Sequence, residues 1–190
     1  MNYSSIKISN YNNGIVRVTL DRPDIHNAFD DKLITQLTST FLELDQDDTI
    51  RVLILDAAGK SFSAGADLNW MKRMSEYSLD DNLQDSQHLA DLMSSLYNMR
   101  CSTIASVQGA AYGGGVGLVA CCDIAIASMN ARFCFSEVKL GLIPAVISPY
   151  VVQAIGARAA KRYFITAETI TAKQAAELGL ISEFVHETEL

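Results

Sequence analysis

The stretch TIASVQGAAYGGGVGLVACCDIAIA, residues 103–127, decides the architecture. Thr103 to Val107 read as a short apolar strand and Gly113-Gly114-Gly115 as a turn. Gly115 to Cys122 read as a helix and Ile124 to Ala127 as a second strand. A crossover of this kind implies parallel pairing, and so an α/β fold.

The flanking sequence agrees. Ile6 to Ser9 and Ile15 to Leu20 flank an Asn13-Gly14 turn and read as a hairpin. Leu33, Leu37, Phe41 and Leu44 recur at helical spacing, and Val52 to Leu55 form a continuous apolar strand. Ser78 with Asp81 resembles a capping box at the head of one long helix ending near Arg100. Downstream, Ala157 to Phe164 and Thr171 to Leu178 read as helices, the second capped by Thr171 with Gly179 just beyond. Ile181 to Val185 closes as a strand. With 190 residues, 49% of them hydrophobic, and no repeat or linker, a single domain over 1–190 is expected.

Composition narrows the function. The 15 basic against 22 acidic residues, with no basic run, argue against a nucleic-acid surface. No apolar run approaches the roughly 20 residues that span a bilayer, so no membrane partner is expected. The N-terminal stretch MNYSSIKISNYNNG has neither a signal peptide's apolar core nor the Arg-rich character of a transit sequence, which points to the cytoplasm. Cys101, Cys121, Cys122 and Cys134 sit in apolar segments without a CxxC pair and are expected as buried thiols. His26, His88 and His186 have no ligand at metal spacing, so no metal is expected. Asp123, at a helix-to-strand turn, suits backbone donors better than catalysis.

Two loops carry chemistry. Phe62 to Leu68, FSAGADL, is built of small residues that let a ligand approach the backbone. Gly113-Gly114-Gly115 opens a helix whose free N–H groups and dipole favour developing negative charge. A dinucleotide loop fails because Leu118 holds the last glycine position, and a P-loop fails because Ile54 precedes Gly59-Lys60-Ser61. Together the loops supply what a thioester enolate needs, two backbone donors converging on one oxygen. Proton transfer needs a further group, and Glu137 directly follows the apolar Phe133-Cys134-Phe135, where desolvation raises a carboxyl pKa.

Five motifs, in order, identify a resemblance. Arg22-Pro23 with Asn27-Ala28, FSAGADL at 62–68, GGGVGLVACCDI at 113–124, SEVKLGLIP at 136–144 and ITAKQAAELGLIS at 170–182 resemble the enoyl-CoA hydratase/isomerase (crotonase) superfamily. The resemblance implies a spiral of repeated ββα units and assembly as a homotrimer or dimer of trimers. It implies a coenzyme A thioester as substrate, with no cofactor beyond the coenzyme A that the substrate carries. By position it assigns Ala64 and Gly114 to the oxyanion hole and Glu137 to catalysis, and it counts Ala64, Gly65 and Gly114 among the residues that bind coenzyme A as well. Ala66, Asp67 and Leu68 fall in the adenine and pantetheine segment, and Ile25 and His26 in the first coenzyme A loop. The family's C-terminal helices have no counterpart before Leu190.

One departure bears on mechanism. Typical enoyl-CoA hydratases carry a second glutamate where this chain has Gly117. A lone glutamate resembles Δ3,Δ2-enoyl-CoA isomerases, whereas GADLNWM at 65–71 and IPAVISPYV at 143–151 resemble the bacterial methylglutaconyl-CoA and carboxygeranoyl-CoA hydratase branch, with a link to leucine catabolism. A hydratase of branched or carboxylated enoyl-CoA is therefore the expectation. An isomerase or a non-catalytic acyl-CoA-binding homologue is the alternative.

Overall fold

The structure is a computed structural model that describes residues 5–190. The first four residues of the N-terminal stretch read above lie outside the described residues. Alternation builds the first hairpin: β1 (Ile6–Tyr11) and β2 (Ile15–Leu20) pair antiparallel, with Val16, Val18 and Leu20 buried. Asn13 and Gly14 both take the positive φ that a tight hairpin turn requires. In α1 (Asp31–Asp45), Asp30 accepts the Leu33 N–H at the start, and Leu33, Ile34, Leu37 and Phe41 are buried at helical spacing. β3 (Val52–Ala57) then lies parallel to β2.

Next come α2 (Leu68–Met74) and α3 (Leu79–Tyr97), the latter opening with the expected Ser78–Asp81 capping box. The deciding stretch folds as β4 (Ser102–Val107), β5 (Ala110–Tyr112), α4 (Gly114–Cys121) and β6 (Ile124–Ser128). β5 escapes the pattern reading because three residues are too few to show alternation. The chain continues through β7 (Arg132–Cys134), α5 (Ser148–Thr166), β8 (Ile170–Thr171), α6 (Ala172–Leu178) and β9 (Glu183–Val185). α5 begins well ahead of the expected Ala157, because Gly156 breaks helical geometry inside it and hides the first turns from a periodicity count.

Six strands form one sheet in the order β1-β2-β3-β4-β6-β9, parallel after the first hairpin. A smaller sheet runs β5-β7-β8, and two parallel bridges, Ser63 with Ala111 and Phe29 with Ala66, extend it. Successive turns thus place one strand in the large sheet and the next extended segment in the small one: β3 then 63–66, β4 then β5, β6 then β7. This is the ββα spiral. One contiguous apolar cluster fills the space between the sheets and helices. Among the described residues, no helix is long and apolar enough to cross a membrane.

Candidate active site

Three extended segments, 63–66, β5 and β7, are joined by parallel pairing and end together. At such carboxyl ends the backbone leaves its ladder and polar groups lose their partners, which is where α/β folds bind ligands. β5 runs into Gly113 and α4, while β7 leads through Phe135 and Ser136 to Glu137. The Gly113 N–H donates to the Cys134 carbonyl at 2.9 Å and locks the two exits together. A methyl group on Gly113 would stand 3.3 Å from Glu137 Oε1 and 3.9 Å from the Gly65 Cα. Gly65, Gly113 and Glu137 therefore belong to one site.

Gly114 opens α4, and among the described residues its N–H, like those of any first helical turn, has no hydrogen-bond partner. The other expected donor is not open. The Ala64 N–H is already committed, donating to the His26 carbonyl at 2.9 Å, so Ala64 is not a free donor. Ala66 takes its place: among the hydrogen bonds of the described residues, its N–H donates to none.

Backbone alternation explains the correction. The Gly65 carbonyl accepts from Phe29 at 2.7 Å, and the Asp67 N–H donates to Phe29 at 2.8 Å, so both face residues 26–29. In an extended segment the residue between them turns its N–H to the opposite edge, here the side of β5 and Gly113. Gly65, with φ of 91°, resets the alternation so that Ala64 and Ala66 face opposite ways.

The loop of residues 22–29 is held by a buried amide. Asn27, wholly buried with φ of 52°, accepts the Arg22 N–H at 2.8 Å and donates to the carbonyls of Ala58 at 2.9 Å and Ser61 at 2.8 Å. Its own carbonyl accepts the Ser63 hydroxyl at 2.9 Å. Arg22 adds a clamp, donating to the Ala28 carbonyl at 2.9 Å, pairing with Asp30 at 2.8 Å and standing 3.9 Å from Asp67. Asn27→Ala strands three backbone groups, and a loss on the order of 3 kcal/mol in urea unfolding is expected. An unchanged midpoint would show the amide to be dispensable.

Ile25 and His26 sit exposed in and just after a 3-10 turn, and the His26 ring nitrogen Nδ1 lies 3.1 Å from the Ser61 hydroxyl. Leu68 opens α2 and is exposed. The Asp67 carboxylate instead serves the fold, capping α2 by accepting the N–H groups of Asn69 at 2.8 Å and Trp70 at 3.1 Å.

Glu137 is the proton-transfer candidate. Its Oε2 is buried and has no hydrogen-bond partner among the described residues, and desolvation holds its carboxyl above the usual range, only partly opposed by a backbone hydrogen bond. The turn Glu137–Leu140 is fixed by the Leu142 N–H, which donates to the Glu137 carbonyl at 3.1 Å. α4 contributes no second acid, since Gly114–Cys121 contains none.

A groove of about 730 Å³ lies at the other end of α4, lined by Tyr97, Cys122, Asp123, Tyr150, Gln153 and Ser182 among others. It contains none of the residues above. The Cys122 thiol there is pushed up to about 12 by burial, which leaves it unreactive. Asp123 accepts the Thr103 N–H at 2.8 Å, the structural role expected of it. All four cysteines are free thiols.

Backbone N–H groups without a partner among the described residues thus lie beside a desolvated glutamate, on two sheets wound in one spiral. Residues 10–190 match the Enoyl-CoA hydratase/isomerase family, and the chain belongs to it. Among solved structures, an enoyl-CoA hydratase from Shewanella pealeana superposes with a TM-score of 0.96 at 46% identity, over 99% of this chain and 71% of that one. The 2,3-dehydroadipyl-CoA hydratase of Escherichia coli is 34% identical over 89% of this chain and 65% of its own length. The enoyl-CoA isomerase/hydratase fer4 of Mycosarcoma maydis is 36% identical over 88% of this chain and 64% of its own. The chain thus spans less than two thirds of these curated relatives' lengths.

Proposed function

We propose that this chain carries the acyl-CoA site of an enoyl-CoA hydratase, adding water across the C=C bond of a thioester through an enolate. The observation that carries the reading is the pair of unpartnered backbone N–H groups, Ala66 and Gly114, on segments that meet beside Glu137. They bind the thioester oxygen most strongly when it bears the enolate charge, which lowers the barrier rather than only the substrate's energy. Glu137, its acid form favoured by burial, protonates the α carbon as water adds at the β carbon. The relatives' names support hydration.

The substrate proposed is a branched or carboxylated enoyl-CoA such as methylglutaconyl-CoA. With no acid at position 117, the substrate's own carboxylate, or backbone, positions the water. The substrate brings its coenzyme A, and no other cofactor is required. Trimeric assembly in the cytoplasm belongs to the same proposal, and light scattering of the purified chain checks the assembly. A second reading, Δ3,Δ2-enoyl-CoA isomerase, is favoured by the single glutamate, because one base can shuttle a proton between two carbons.

A panel of enoyl-CoA thioesters with product identification decides between the two. Faster hydration of carboxylated branched substrates than of crotonyl-CoA is expected. Equal rates would end the substrate-assisted proposal, and double-bond migration without hydration would establish the isomerase.

A further inference from the structure

Gly117 lies one helical turn beyond Gly114, so a side chain there would project from nearly the same face of α4 as the donor. That space is filled. A Cβ built on Gly117 would overlap Ile147 Cγ2, well inside contact distance, and stand 3.1 Å from Ile147 Cβ and 3.0 Å from Met93 Cε. Ile147 is 2% exposed and Met93 is fully buried, so neither has solvent to move into. They differ in stiffness. Met93 is unbranched and can swing aside, whereas Ile147 is branched at Cβ. Its backbone is also fixed at the head of α5, where its carbonyl accepts the Val151 N–H at 3.1 Å.

We propose that Ile147 is the residue that limits this site to one carboxylate, by occupying the volume a side chain at position 117 would need. The proposal rests on the enolate reading above and says which residue selects the chemistry within it. Hydration of a plain enoyl-CoA needs two protonic groups. One takes a proton from water as its oxygen bonds to the β carbon, the π electrons pass to the thioester oxygen, and the other gives a proton to the α carbon. Glu137 can serve once. Ile147 closes the nearest place on α4 from which a partner could be supplied.

The test has a packing arm and a chemical arm. In thermal unfolding, Gly117→Ala is expected to lower Tm by several degrees in the parent chain and by much less in an Ile147→Ala background. Equal losses in the two backgrounds would overturn the proposal. In the chemical arm, Gly117→Glu with Ile147→Ala is expected to hydrate crotonyl-CoA at least roughly tenfold faster than Ile147→Ala alone, with a second ionisation in its pH profile. No gain from a folded double variant would also overturn it. Solvent deuterium exchange at the α carbon of an acyl-CoA by the parent chain separates the two levels: its absence sinks the enolate reading, while the Tm comparison still judges Ile147.

Discussion

Glu137→Gln is expected to reduce α-proton exchange and enoyl-CoA turnover by about 10² to 10⁴-fold while leaving acyl-CoA affinity nearly unchanged. The amide keeps the shape of the carboxyl but cannot take or release a proton. Affinity should survive because the proposed site holds the thioester oxygen on the N–H groups of Ala66 and Gly114, which the substitution does not touch. Exchange rates by mass spectrometry and affinities by calorimetry separate the two effects. A proportional loss of affinity would mean that Glu137 holds substrate rather than moving protons.

The same substitution should change stability, with a sign set by burial. The folded Glu137 carboxyl is raised above its unfolded value, mainly by desolvation, so folding disfavours its ionised form. The parent chain therefore loses stability as pH rises from below the ordinary glutamate pKa through the raised folded one. Relative to it, Glu137→Gln should gain in Tm at neutral pH and show no gain in acid. In the parent chain, α-proton abstraction should rise with pH through that raised value and then level, because the carboxylate is the base. A plateau already reached below the ordinary glutamate range would contradict the burial seen for Oε2.

Gly114→Pro is the second large effect, a loss of roughly 10² to 10³ in turnover from removal of one oxyanion donor. The position suits the experiment. Gly114 is the first residue of α4, where proline's fixed φ is tolerated and its missing N–H breaks no helical bond. Gly114→Ala is the control, because its methyl would meet the Phe29 ring at an ordinary 3.5 Å and its N–H remains. Near-normal activity in Gly114→Ala with collapse in Gly114→Pro isolates the hydrogen bond. Equal activity in both would exclude Gly114 as a donor.

Much of this molecule was written in local pattern. The β4–α4–β6 crossover, the Asn13-Gly14 hairpin and the caps at Ser78 and Thr171 were all legible, because each depends on neighbours within a few residues. The places of Gly114 and Glu137 in the fold were legible for the same reason, one at a helix start and the other just past an apolar strand. The sequence by itself also determined that α4 brings no carboxylate to the site.

What tertiary structure decided was direction and space. Two alanines flank Gly65, and only the pairing of this loop with residues 26–29 commits the Ala64 N–H and leaves that of Ala66 free. Asn27 is a keystone only because Ala58 and Ser61 come to it from another turn of the spiral. Gly117 is closed only because Ile147, thirty positions away, lies against it. A backbone N–H points where its strand partners force it, and a cavity exists where distant side chains leave it. Both are set by contacts between residues far apart in the chain, which a local pattern does not record.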